Sequence, residues 1–292
     1  MATVAVVGAG AIGGFFGAQA ALSGNDVMLC VRRTFDRLVV KSGGATHEID
    51  VPVLTDPGAA APADWVLLAV KAHQTDGAAK WLEAVCARGT VVVVLQNGVE
   101  HEERVRSLVP EGTEILPAVV HCGAESPRPG LVQHYTYGFA YVPRSAAGKS
   151  LAAAFTHDPE TFRPTDAFVT RAWEKMCSNV AVNPITALTQ RRMGVMRRPA
   201  VADLGHALMR EAVAVAQREG ANIEDSYADE TIARLQTVPE QAGTSMLYDR
   251  MAGRTLEIDA ISGVVVRLGE KHGIPTPLNH AMAALVGALD NA

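Results

Sequence analysis

Apolar residues fall along this chain in two textures that change near residue 166. Up to that point they come in short β-branched runs closed by glycine or polar residues: Thr3–Val7, Asp26–Val31, Trp65–Val70 and Val91–Leu95. Runs of that length bounded by turn residues predict strands buried on both faces, as in an open parallel sheet. An Ala-rich stretch reaching about Ser23 follows the first run and predicts a helix. From Ile115 to Val142 the β-rich pieces are shorter and are separated by S126-P-R-P-G130, which predicts hairpin-like strands added to the same sheet. Gly148–Phe155 reads as a short helix and His157–Asp166 as a polar, proline-containing link. Beyond residue 167 apolar positions recur at helical spacing, notably in Val201–Glu219 and Ile258–His272, and V264-V-V266 sits inside such a pattern. The expected architecture is an α/β domain over residues 1–166 with a doubly wound, mostly parallel sheet, followed by an all-helical domain over 167–292.

A chain of 292 residues, 48% hydrophobic and 20% charged, is long enough for two such domains. Its formal net charge of −5 argues against a general nucleic-acid binder, which is usually basic. No apolar run approaches the roughly 18 residues of a membrane span. The N-terminal M-A-T-V-A-V-V-G has no basic flank and feeds straight into a glycine motif, so it reads as a first strand and not as a signal peptide. Cys30, Cys86, Cys122 and Cys177 lie far apart with no metal-ligand spacing, as expected of reduced thiols in a cytoplasmic protein, and no metal is expected.

The glycine motif is G8-A-G-A-I-G13. It closes a strand and opens a helix, the context in which G-x-G-x-x-G binds a dinucleotide. Gly8 makes the tight turn, Gly10 lets a pyrophosphate approach the backbone, and Gly13 lets helix and strand pack closely. Ala11 and Ile12 lie between the last two, at the helix N-terminus that faces the phosphate charge. The second strand ends in Arg32-Arg33, about twenty residues beyond the glycines, where an NAD-binding chain usually places an acid for the ribose 2′-hydroxyl. Asp36 lies past the strand end, so arginine meeting a 2′-phosphate is the expectation: NADP(H), with Arg32 the first candidate and Arg33 the second. Two later strands run into K71-A-H-Q74 and Q96-N-G98, which places Lys71, Gln74 and Asn97 beyond strand carboxyl ends, where ligands lie in such sheets. Read alone, Asn97-Gly98 is equally a turn.

In W173-E-K-M-C-S-N-V-A-V-N183, Lys175, Asn179 and Asn183 are four residues apart in a mostly apolar tract. On a helix they form one slowly drifting stripe, a cation and two amides suited to an anionic or carbonyl substrate; an ordinary exposed polar face is the alternative. Cys177 is offset from that stripe. Pro184 should kink or break the helix and free backbone groups nearby. Arg191-Arg192 and Arg197-Arg198, around Gly194, read as a solvated loop. Ser245 precedes a helical stretch and is a candidate cap. Glu257 sits among Leu256, Ile258 and Ile261, an uncomfortable place for a carboxylate without a partner, and Lys175 is the candidate partner; an exposed surface Glu is the alternative.

Together these motifs resemble the ketopantoate reductase family over nearly the whole chain. The residues that carry the likeness are G8-A-G-A-I-G-G, Arg32, L68-A-V-K-A-H-Q74, Q96-N-G98, W173-E-K-M-C-S-N-V-A-V-N-P-I-T-A-L, and T244-S-M-L-Y-D with G253-R-T-L-E-I-D and Gly263, joined by Pro129-Gly130 and Thr276-Pro277-Leu278-Asn279. The resemblance implies an N-terminal Rossmann domain, a helical C-terminal domain and an active-site cleft between them. It implies NADPH-dependent reduction of 2-dehydropantoate to (R)-pantoate, on the way to pantothenate and coenzyme A. Lys175 would then be the general acid, and Glu257 would engage the new hydroxyl or the lysine. Asn97, Asn179, Asn183 and Ser245 would position substrate, while Lys71 and Gln74 match cofactor-side positions. His121 and His134 read as structural. The partner expected is a small 2-oxo acid, with no nucleic acid and no membrane, and a homodimer remains open. Two other readings stay open: an NADP-dependent reductase of another 2-oxo acid or carbonyl compound, and a non-catalytic NADP(H)-binding regulator.

Overall fold

The computed structural model describes residues 1–289 and separates into two compact units, Met1–Phe168 and a second beginning at Val169. The strands in chain order are β1 (Thr3–Val7), β2 (Asp26–Cys30), β3 (Leu38–Ser42), β4 (Ala45–Ile49), β5 (Val53–Leu54), β6 (Trp65–Leu68), β7 (Val91–Val94), β8 (Glu114–Pro117), β9 (Val119–Arg128), β10 (Leu131–Pro143) and β11 (Phe162–Thr165). The helices of the first unit are α1 (Ala11–Leu22), α2 (Ala79–Val85), α3 (His101–Arg106) and α4 (Ala146–Ala154).

Six strands form a wholly parallel sheet in the order β5-β2-β1-β6-β7-β8. The period of two decides which residue faces which layer. Val4, Val6, Leu67 and Val93 join the aromatic side of α1, Phe15 and Phe16, in one core. Ala5, Val7, Val66, Leu68, Val92 and Val94 join Trp81, Leu82 and Val85 of α2 in another. Burying each such side chain contributes roughly 1.5–3 kcal/mol, which is why runs like V91-V-V-V94 form central strands.

Within the Ile115–Val142 stretch expected to add hairpin-like strands to this sheet, β8 does join it, parallel to β7, whereas β9 and β10 build a second sheet. β9 and β10 pair antiparallel, and β10 continues the order β11-β10-β3-β4. The cause lies in α1: A11-I-G-G-F-F-G-A-Q-A-A-L22 is apolar all round, so the side turned from the parallel sheet also needs cover. Val120, Val132, Ala140 and Val142 supply it. Small residues permit both contacts, since a Cβ on Gly17 would lie 3.1 Å from Val6 and one on Gly14 only 2.6 Å from Val132. The segment expected to be a link, residues 157–166, contains β11, which pairs with β10 at the sheet edge. There Pro164 removes no ladder bond that matters, and buried Phe162 packs on Phe155 at 4.7 Å and Phe16 at 5.3 Å.

The second unit carries α5 (Phe168–Thr189), α6 (Pro199–Arg218), α7 (Tyr227–Thr237), α8 (Ser245–Met251), α9 (Val264–His272) and α10 (Pro277–Gly287). The break expected at Pro184 is not there: α5 runs through it. Proline in a helix interior costs about 3 kcal/mol, offset here because every residue from Val180 to Ala187 is buried. Hydroxyls brace the segment around it, Thr186 donating to the Val182 carbonyl (2.8 Å) and Thr189 to that of Ile185 (2.7 Å). A π-turn, Asp259–Gly263, leads directly into α9. Two of the four paired arginines do more than face solvent. Arg192 donates to the Gln241 carbonyl (2.8 Å), and Arg197 donates to that of Gln236 (3.1 Å) while pairing with Glu240. Among the described residues no helix is long and apolar enough to cross a membrane.

Candidate active site

At the carboxyl edge of the parallel sheet, β1 ends in Gly8, whose φ of +95° is open to glycine alone without strain. The Gly8 amide donates to the Cys30 carbonyl (3.0 Å), pinning the loop to the end of β2. A Cβ on Gly13 would sit 2.0 Å from the Gly8 carbonyl oxygen, so the start of α1 touches the turn directly. Gly10 differs: a Cβ there would meet nothing within 4 Å, and no side chain caps α1. A helix N-terminus with uncapped amides, beside an open backbone, fits the pyrophosphate of a dinucleotide. Ala11 and Ile12 form the first turn above it. The strand order reverses beside β1, with β2 and β5 on one flank and β6, β7 and β8 on the other, so the loop stands at a topological switch point.

The other residues predicted for this end follow adjacent strands. Arg32 and Arg33 lie exposed just beyond β2. Lys71 and Gln74, both half-buried, begin and end a short turn after β6, and the Gln74 amide donates to the Lys71 carbonyl (2.8 Å). Asn97 follows β7, and the structure shows what holds it. Buried Gln96 donates to Thr75 Oγ1 (2.8 Å) and the Val70 carbonyl (3.1 Å), and Arg104 donates to Gln96 Oε1 (3.1 Å) and the Asn97 carbonyl (3.2 Å). Buried His101 donates through Nε2 to the Gln96 carbonyl (3.0 Å), an acceptor only, which fixes where its proton sits. Gln96, His101 and Arg104 were not legible as a group, because Arg104 and His101 belong to α3 and only the fold brings them back to the strand end.

On the second unit, Lys175, Asn179 and Asn183 all belong to uninterrupted α5. Each step of four residues turns about 40°, so they share a stripe along roughly 12 Å of helix. Lys175 and Asn179 are half-buried and Asn183 is buried. The backbone at Glu174 is anchored by Tyr227, whose hydroxyl donates to its carbonyl (3.0 Å). Cys177 is fully buried, and burial, with Glu174 nearby, raises its thiol far above the ordinary value. Cys30 and Cys86 are likewise pushed up by burial, to about 12 and about 11.

Ser245 is the first residue of α8 and exposed; the cap is its neighbour Thr244, whose hydroxyl accepts from the Leu247 amide (3.1 Å). Asp249, buried, accepts from Arg254 (2.8 Å) and so ties α8 to the segment leading to Glu257. Glu257 is 6% exposed, among buried Leu256, Ile258 and Ile261, so it is not an exposed surface Glu. His134 shares a 2.7 Å hydrogen bond with Ser42 and packs on Phe15, and His121 stacks on Phe139 at 5.0 Å.

A doubly wound parallel sheet whose switch point carries an open glycine turn defines the class of dinucleotide-binding proteins. Comparison with known proteins narrows this. Residues 4–146 match the family model "Ketopantoate reductase PanE/ApbA", and 167–290 match "Ketopantoate reductase PanE/ApbA C terminal". The 2-dehydropantoate 2-reductase of Caulobacter vibrioides is 37% identical over 290 residues, covering 99% of both chains. That of Mycobacterium tuberculosis is 37% identical over 291 residues, covering 99% of this chain and 98% of its own. The crystal structure of a PanE/ApbA family ketopantoate reductase from Ralstonia eutropha superposes with a TM-score of 0.90 at 32% identity, covering 99% and 98%. D-mandelate dehydrogenase, solved with NADH and anilino(oxo)acetate, shares the fold at 24% identity and a TM-score of 0.86, covering 99% and 98%. The chain belongs to the ketopantoate reductase family.

Proposed function

We propose that this protein reduces 2-dehydropantoate (ketopantoate) to (R)-pantoate with NADPH, a step toward pantothenate and coenzyme A. The observation that carries the reading is the Lys175–Asn179–Asn183 stripe on one unbroken helix in a chain of this family. Residues 1–166 hold the cofactor and contribute Asn97 to the substrate, and 167–292 supply the acid and the other substrate-binding groups. Gly8, Gly10, Ala11, Ile12 and Gly13 receive the pyrophosphate, with Lys71, Gln74 and Asn97 on the cofactor side. Exposed Arg32, backed by Arg33, meets a 2′-phosphate; the end of β2 offers it no competing acid, which favours NADPH over NADH.

When bound, the nicotinamide supplies a hydride to the ketone carbon. Lys175 stabilises the negative charge that develops on the ketone oxygen and donates the proton that makes the hydroxyl. Glu257 engages that hydroxyl or Lys175; its burial demands a partner able to offset desolvation. Asn97, Asn179, Asn183 and Ser245 donate neutral hydrogen bonds to the substrate, orienting it without the trap of a full salt bridge.

A reductase of a different 2-oxo acid is the second reading, favoured by the same fold serving D-mandelate dehydrogenase. Steady-state kcat/KM over a panel of 2-oxo acids with NADPH separates the two. Ketopantoate should lead the panel; another acid ahead by orders of magnitude would establish the second reading.

A further inference from the structure

Thr186 and Thr244 meet inside the second unit with their hydroxyl oxygens 2.7 Å apart, at 0% and 9% exposure. Their surroundings fix the direction of each proton. The Leu247 amide donates to Thr244 Oγ1 (3.1 Å), and Thr186 Oγ1 donates to the Val182 carbonyl (2.8 Å), with the Asn183 carbonyl at 3.2 Å. A hydroxyl has one proton to give, so the Thr244 hydroxyl donates to Thr186. The result is a one-way relay from α8 to α5 with every proton used.

Its placement gives it a consequence. Thr186 lies one turn beyond Asn183, in the stretch where Pro184 deprives the Val180 carbonyl of its helical donor. Thr244 caps α8 and directly precedes Ser245. At its far end α8 is held again, since buried Asp249 accepts from Arg254 through side chain (2.8 Å) and main chain (2.9 Å). The hydroxyl pair is thus the join between the helix that carries the polar stripe and the helix that begins with Ser245.

We infer that Thr186 and Thr244 are positioning residues: their hydroxyl–hydroxyl bond sets the separation of Asn183 and Ser245, so that the two hold one substrate together. The inference rests on the proposed function, which assigns those two residues to substrate. An apolar pair of equal volume would fill the space but would not fix the spacing, because dispersion contacts are not directional whereas hydrogen bonds are. The effect belongs to substrate binding, with chemistry and cofactor affinity left intact.

The test uses the full-length protein and the variants T186V, T186S, T244V and T186V/T244V. For each, kcat and KM are measured with ketopantoate, and Kd with NADPH. T186V and T244V should each raise KM about 3- to 10-fold, with kcat changed by less than about threefold and NADPH affinity unchanged. T186S should restore KM to within about twofold of the wild type. The losses in the double variant should sum to less than those of the two single ones, because the bond they share is lost only once. A wild-type KM in T186V or T244V, a T186S variant as impaired as T186V, or additive losses in the double variant would overturn the relay. Should T186V fail to fold, the comparison of T244V with T186S decides the matter. A wild-type protein that binds NADPH but leaves ketopantoate unreduced refutes the proposed function and the relay with it. An active wild type beside an unaltered T186V refutes the relay alone.

Discussion

Two glycines three residues apart in the same motif should fail in opposite ways when each receives a methyl group. Gly10→Ala adds a Cβ where nothing lies within 4 Å, on a backbone of φ −78° and ψ −152° that carries no left-handed strain. The folded state loses nothing, and the unfolded chain loses freedom, so stability should hold or rise by about 0.4–1 kcal/mol. The new carbon projects about 1.5 Å from Cα, into the space that a pyrophosphate needs. Displacing a phosphate by that distance breaks one or more charge-assisted bonds, each worth about 1.5–3 kcal/mol, which weakens NADPH about 10- to 100-fold. Gly13→Ala puts its Cβ 2.0 Å from the Gly8 carbonyl oxygen and 3.0 Å from the Ala69 Cβ. Gly8 is pinned to Cys30, so α1 must move outward by about an ångström from a sheet packed on its Phe16, at about 1–3 kcal/mol. Urea unfolding gives the stability of each variant, and fluorescence titration gives its NADPH Kd. The expected pattern is a stable Gly10→Ala that binds poorly and a destabilised Gly13→Ala. Normal NADPH binding by Gly10→Ala would refute the placement of the pyrophosphate, and equal destabilisation by both would refute the reading of the loop.

Lys175→Ala should lower kcat about 10²–10⁴-fold, the usual value of a positioned acid, with NADPH affinity retained; near-normal turnover would take lysine out of the mechanism. Arg32→Ala should weaken NADPH far more than NADH in parallel titrations, and equal losses would sink the 2′-phosphate assignment. Glu219 accepts hydrogen bonds from His272 and Lys271, and that of His272, the larger cause, helps hold its carboxyl below the ordinary 4.5. A depressed folded-state pKa stabilises above the unfolded value and stops doing so as pH falls through the folded one. Solvent screening limits the gain, so Glu219→Gln should cost about 0.5–1 kcal/mol at neutral pH. In urea unfolding across pH that difference should close below pH 4.5; one that persists undiminished would contradict the pairing.

The parts legible in the sequence were those whose signal is local. The β1 run, the glycine turn and the Ala-rich helix follow one another directly, and β1, β2, β6 and β7 are apolar runs bounded by turn residues, whereas β5 has only two residues and β8 carries no such signal. The β3–β4 hairpin escaped notice because L38-V-V-K-S-G-G-A-T-H-E-I49 is half polar, its turn at Gly43 and Gly44 being the clearest mark. Edge strand β11 was hidden by Pro164, a strand breaker only where the ladder needs its amide. The second sheet depends on the apolar side of α1 turned away from the parallel sheet, which no window around residues 115–142 contains. On the helical side, spacing alone put Lys175, Asn179 and Asn183 on one stripe, but the rule that proline breaks helices misled, because burial of Val180–Ala187 overrides it. Ser245 was one residue from the true cap, a distinction that rests on which hydroxyl meets the Leu247 amide. The Thr186–Thr244 bond joins positions 58 residues apart, so only the folded chain reveals it.

The most direct test of the central claim is the absorbance-monitored oxidation of NADPH by the purified protein with ketopantoate, repeated with NADH. The account predicts rapid turnover of NADPH, slow turnover of NADH, and pantoate as product. Tight NADPH binding with no oxidation in the presence of ketopantoate would contradict it and assign the site to another carbonyl substrate.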